Sequence, residues 1–252
     1  MPIVAGLHAV LPRLLQVGAE VNVSAAQLDT WRQLLAVLPP LPVNGSLTAA
    51  ATVFAPAALP IPPGLHFNSE IPQMYAVHPF RLATVVRNDT LAAVGRHTYL
   101  FGHGTDGNSG WNQPPINAAY LGLADQAHSL VVSRAHTSSG PMRFPAYLPN
   151  MQDFRPNEDH LSVMRTALQA MLAQHGDGAN RADIALLPAW PCDLWSARFK
   201  LHLPLATVIE GTYNHTTHHL ALTAITPPSR AANVRVLACA ASVSWPAPPA
   251  TQ

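Results

Sequence analysis

The hydrophobic repeat of this chain changes near residue 183, and that change limits the fold more than any other feature. Before it, apolar residues recur at helical spacing. After it, Arg198-Phe-Lys-Leu-His-Leu203 alternates strictly between polar and apolar, the pattern of a half-buried antiparallel strand. A chain that runs helices first and strands afterwards folds as segregated layers rather than as a parallel α/β sheet. The expected class is α+β, with a helical part over 1–180 and a β part over 181–252.

Local signals fill in both halves. Leu7, Val10, Leu11, Leu14 and Leu15 mark a first helix. Ser24-Ala-Ala-Gln27 has the S-x-x-Q form of a capping box ahead of a second, whose stripe is Leu28, Trp31, Leu34 and Leu35. Pro39 and Pro40 end it, because proline lacks the N–H and clashes with the preceding turn. Residues 39–73 are proline-rich and without period, a connection that either lines a site or simply links. Asp89 or Thr90 can cap a helix running to about Leu100, and Pro114-Pro115 suit the first turn of another. A further helix covers about Asp125–Ala135. The clearest runs from Asp159 to about His175, with Leu161, Met164, Leu168, Met171 and Leu172 on one face. Thr207–Tyr213 and Leu220–Ile225 read as hairpin arms, and Val234–Trp245 as one or two more strands.

Composition excludes several functions. Of 252 residues only 11 % are charged, the net charge is +1, Lys200 is the sole lysine and the arginines form no run. A nucleic-acid surface needs a basic patch, so none is expected. No apolar run reaches the ~18 residues of a membrane span. Met1–Leu15 is apolar but lacks a basic start and is broken by Arg13, so it makes a poor signal peptide. Cys192 and Cys239 form no C-x-x-C pair; one disulfide can form if the chain is exported, and two cysteines do not fix the compartment.

No G-x-S-x-G, phosphate-loop, G-x-G-x-x-G or H-E-x-x-H motif occurs, and no cofactor is expected. His215, His218 and His219 offer an H-x-x-H pair or, more plainly, a solvated hairpin turn, and no metal site is expected there. Asn157-Glu158-Asp159-His160 opens the clearest helix. Acids there suit the helix dipole, and Asp159 can serve as a cap. The loop before it carries Phe144, Tyr147, Asn150, Gln152 and Phe154. Rings that stack on pyranose faces, beside amides and acids that bind hydroxyls, are what a sugar site uses. Trp111, in Asn108-Ser-Gly-Trp-Asn112, is either a stacking platform or packing on a helix start.

These segments resemble a known family. Met171-Leu-Ala-Gln174 followed by Ile184-Ala-Leu-Leu-Pro-Ala-Trp-Pro191 is similar to the end of glycoside hydrolase family 95, the α-L-fucosidase-like six-hairpin glycosidases. Ser109-Gly-Trp111 is similar to the family's "GHSGW" segment, and Phe199-Lys-Leu201, Glu210-Gly211 and Thr226-Pro-Pro-Ser-Arg230 to the β-domain of its relatives. The resemblance covers roughly residues 74–240. It implies a partial (α/α)6 toroid of helical hairpins followed by a small antiparallel β-sandwich. It implies an inverting hydrolase of a fucoside-like glycoside, with Asp159 as the water-activating carboxylate and Trp111, Asn157 and His160 against substrate. The family's "IDGNFGG" stands here as Glu158-Asp-His-Leu-Ser-Val-Met164, without its glycines. About six helices are counted where a toroid has twelve, and the family's upstream asparagines and acid have no counterpart. The expectation is thus a fragment, incomplete as a catalyst. The alternative is a non-catalytic carbohydrate-binding or structural piece that needs a missing half or a partner chain. A cut ring implies an open apolar face along residues 5–35 and self-association through it.

Overall fold

The computed structural model describes residues 1–44, 52–57, 71–103, 112–136, 158–176 and 183–246. It is an α+β protein. Helices α1 (Pro2–Glu20) and α2 (Ala25–Val37) form an antiparallel pair. Ser24 caps α2 by accepting the Gln27 N–H at 3.3 Å, as the capping box requires. A two-rung ladder, β1 (Val43–Asn44) with β2 (Val53–Phe54), sits within the proline-rich connection. The Phe54 N–H donates to Thr98 Oγ1 at 2.8 Å, which ties β2 to α3 (Asp89–Thr98). The cap of α3 is Asn88, ahead of both expected residues, Asp89 and Thr90. The Asn88 side chain reaches back to accept the Leu91 N–H at 2.9 Å, while Asp89 is left in the first turn, where its charge suits the dipole.

Helices α4 (Pro114–Tyr120), α5 (Ala124–His136) and α6 (Glu158–Leu172) pack on one another. Pro114 and Pro115 stand at the start of α4, where a missing N–H costs nothing. Helix α6 stops at Leu172, three residues short of the expected His175. Its last carbonyls are taken from outside: Leu187 N–H donates to Leu172 O at 2.7 Å, and Ala189 N–H to Met171 O at 3.3 Å. The chain then turns at once into β3 (Ala173–His175), which pairs antiparallel with β4 (Ile184–Leu186). Residues 184–191 are all buried, which explains their unbroken apolar character.

The second sheet has the order β5-β6-β7-β9, with β5 (Ala197–Leu203), β6 (Thr207–Asn214), β7 (His219–Thr226) and β9 (Ser242–Ser244). Phe199 and Leu203 are buried, Leu201 partly, and Lys200 is exposed against Glu210 at 2.7 Å, as the alternation predicts. Two pairings depart from the antiparallel expectation. Strand β8 (Val234–Val236) runs parallel to β4, and β9 runs parallel to β7. Neither strand pairs with the one just before it in the chain, and the direction of such a strand is not written in its own residues. Arg230, buried in the turn before β8, donates through Nε to Thr207 Oγ1 at 2.8 Å and through Nη1 to Asn233 Oδ1 at 2.7 Å. One apolar cluster runs from Met1 and Phe54 through Ile116 and Met171 to Ile209 and Leu222, so helices and sheets share their core.

Candidate functional site

The site proposed from sequence centres on the first turn of α6, where the structure puts the backbone of Asp159 and His160. Trp111 and Asn157 lie outside the described residues, as do the aromatic and amide residues of 144–154.

The surrounding helices fix which end of the layer this turn occupies. Gln174, just past α6, donates to Ala119 O near the C-terminal end of α4 at 2.7 Å. The two packed helices therefore run in the same direction. A turn at 121–123 reverses the chain into α5, and Arg134 in the last turn of α5 donates to Asn112 O, just ahead of α4. The start of α4 and the end of α5 thus lie at one end of the helical layer, and α6, at 15 residues against the 7 of α4, runs on past the start of α4 before its own first turn.

That end is polar inside. Arg134 is fully buried, and burial lowers its guanidinium to about 10, so it keeps its charge at neutral pH. Asn112 Oδ1 and Asn117 Oδ1 are buried and make no hydrogen bond among the described residues. Buried amide oxygens without partners cost free energy and are rare in finished interiors. Nearer α3, the Tyr99 hydroxyl is also buried without a partner, and burial raises its pKa. A cation and amide acceptors make an environment suited to hydroxyls and carboxylates.

The histidines of the hairpin tip are engaged within the protein. His215 Nδ1 meets Ser196 Oγ at 2.9 Å, and His219 lies 2.8 Å from Ser242 Oγ and 3.3 Å from Ser244 Oγ. His218 spans Tyr213 Oη at 3.0 Å and Asp193 Oδ1 at 3.5 Å. Among the described residues no three His, Cys, Asp or Glu side chains converge on a point that would hold a metal ion. Tyr213 Oη also reaches the carbonyls of Cys192 at 3.0 Å and Cys239 at 3.4 Å, the two residues joined by a disulfide. Burial, then the Asp193 charge, raises the Tyr213 pKa.

Sequence reasoning missed three further groups. Arg81 Nη1 and His175 Nε2 are 2.8 Å apart. His78 stacks on Tyr120 with ring centroids 6.0 Å apart, and burial, aided by the Arg81 charge, lowers it to about 4. A concavity of about 390 Å³ is lined by His8, Leu41, Leu82 and Arg87, among others. Each joins residues tens of positions apart, so no local spacing signals it. The buried Arg134, an arginine in the last turn of a helix, likewise reads from sequence as an ordinary dipole partner.

No protein-family model matches this chain, and no curated protein is found to be similar to it.

Proposed function

We propose that the chain is the C-terminal portion of an inverting glycoside hydrolase resembling family 95. On this reading the helical hairpins belong to an (α/α)6 toroid, the strands form the β-sandwich that follows it, and the substrate is a fucoside-like or related glycoside. The observation that carries the reading is the joint between α6 and the sheet. An acid-bearing first turn opens a 15-residue helix, and the buried Leu186–Pro191 run closes that helix and leads into the strands. This is the order the resemblance implies. Where the end of α5 meets the start of α4, the buried Arg134 and amide oxygens add polar groups to the helical layer.

In the reaction, Asp159 takes a proton from water as the water oxygen attacks the anomeric carbon. The glycosidic oxygen departs with a proton from a second carboxyl group, and inversion requires the two carboxyls to be about 6.5–9.5 Å apart. The second group comes from a segment other than the one matched here. Trp111 stacks on the sugar face; Asn157 and His160 bind hydroxyls.

The test is hydrolysis of aryl α-L-fucosides and other aryl glycosides, by the chain alone and joined to whatever its reading frame encodes upstream. The expected product has inverted anomeric configuration by NMR, and Asp159→Asn lowers kcat by at least ~100-fold. Retention of configuration, or an unchanged rate in Asp159→Asn, overturns the assignment. A second reading, a carbohydrate-binding piece that works only with a partner, is favoured by the exposed apolar face of α1. Glycan binding without hydrolysis under every condition would select it.

A further inference from the structure

Helix α1 is held to the body of the protein by one side. Met1, Ala5 and Leu11 are buried, and Gly18 lets the helix close on Leu28 and Trp31 of α2, where a Cβ would lie 2.9 Å from Leu28 Cδ2. The other side carries Ile3, Leu7, Val10, Leu14, Val17 and Val21. Their spacing alternates between four and three residues, the repeat of a coiled-coil seam. Five of the six face solvent: Ile3 is 79 % exposed, Val10 45 %, Leu14 37 %, Val17 36 % and Val21 62 %. A helix face that stays in water is normally polar. Beside this seam a groove of about 330 Å³ separates Val10, Leu14 and Val17 from Pro79–Arg81. Pro12 lies inside the helix and removes the N–H that would bond His8 O.

We infer that this face is an interface between two copies of the chain, with α1 packed antiparallel on α1. The charges at its edge select both the partner and the direction. Arg13 and Glu20 are seven residues apart, on the same flank of the seam. In an antiparallel pair, Leu14 meets Val17 of the second copy and Val10 meets Val21 of the second copy. Arg13 then falls beside Glu20 of the second copy, and Glu20 beside its Arg13, so two ion pairs form by symmetry. In a parallel pair Arg13 would face Gly18, and Glu20 would face a position beyond the helix. The second copy thus supplies what the seam lacks, and Arg13 keeps its contact with Gln16 at 3.5 Å within its own helix. The inference is independent of whether the protein hydrolyses glycosides.

One helix face per subunit makes a small interface, in the weak class below ~1,200 Å². Sedimentation of the full chain should therefore show mass rising from one chain towards two between roughly 10 µM and 1 mM, as expected of weak interfaces. Leu14→Asp should abolish the rise and leave the thermal midpoint unchanged. Arg13→Glu should weaken association at least ~5-fold, and the double variant Arg13→Glu/Glu20→Arg should recover it to within ~2-fold, because the swap restores opposite charges across the antiparallel pair. Mass that stays at one chain throughout overturns the inference and leaves the face to a different partner. So does association that survives Leu14→Asp, or a double variant no better than Arg13→Glu. Should Leu14→Asp fail to fold, the charge-swap pair alone decides.

Discussion

Gln174 Nε2 donates to Ala119 O at 2.7 Å and, in the same position, to Ala170 O at 3.1 Å, and all of this is buried. The residue stands where α6 becomes β3, so one side chain pins the end of α6 to the end of α4. Replacing Gln174 with Leu keeps much of the volume but removes this tie between the two helix ends, while Ala119 O still accepts the Gly122 N–H at 3.1 Å. The net loss of a buried hydrogen bond costs about 0.5–1.5 kcal/mol. The urea midpoint should fall accordingly with the slope unchanged; a midpoint equal to that of the native chain would show the bond to be dispensable.

The disulfide between Cys192 and Cys239 closes a loop across the β part, and Tyr213 Oη is hydrogen-bonded to the carbonyls of both cysteines. Cys192→Ser/Cys239→Ser should lower stability by roughly 2–4 kcal/mol, the usual range for a native crosslink. Reductant should lower the melting temperature of the native chain and leave that of the double variant unmoved. Equal sensitivity in both proteins would argue against the bond.

His78 gives the fold a pH dependence of definite sign. Desolvation, then the Arg81 charge, lowers its pKa to about 4, against an ordinary value of 6.5 in the unfolded chain. The unfolded state therefore binds the extra proton between those values, and stability present above pH 6.5 is lost as pH falls towards 4. The full span corresponds to a loss on the order of 3 kcal/mol. Denaturant midpoints from pH 7.5 down to 4.5 should show this slope in the native chain and a shallower one in His78→Gln. Parallel curves would remove His78 from the account.

Gly211 lies at the bulge between β6 and β7, where a Cβ would stand 2.7 Å from Ala221 O and 3.0 Å from Phe199 Cζ. A backbone oxygen in a ladder and a buried ring cannot both yield. Gly211→Ala should cost about 1–3 kcal/mol as overpacking does, whereas the exposed neighbour Thr212→Ala should stay within ~0.5 kcal/mol. Thermal melts of the two variants compare them directly, and similar midpoints would mean that the sheet relaxes there.

Much of this was legible in sequence because it depends on near neighbours. The Ser24-Gln27 cap, the paired prolines opening α4, the alternation of β5 and the hairpin of β6 with β7 each rest on residues within a few positions of one another. Of the stripe at the centre of the open apolar face expected along residues 5–35, Val10 and Leu14 are exposed whereas Leu11 is buried against the body of the protein. Of the candidate site, sequence supplied the helix start that bears Asp159. It could not supply the buried Arg134 or the direction of α4 relative to α6, since these arise from contacts across 22 and 55 residues.

The division has one physical cause. Side-chain period, capping and proline geometry act within a turn or a strand, so the amino-acid sequence alone determined that the chain is mainly helical before about residue 183 and mainly stranded after it. Where a segment stops is decided by what it meets. Helix α6 ends at Leu172 because Leu187 and Ala189 arrive to take its carbonyls, although its apolar repeat runs on. Strands β8 and β9 lie parallel to their neighbours because of how the chain returns to them. His78 is neutral because the packed chain excludes water from it. Those outcomes belong to the tertiary structure, since burial and long-range pairing exist only once distant segments have come together.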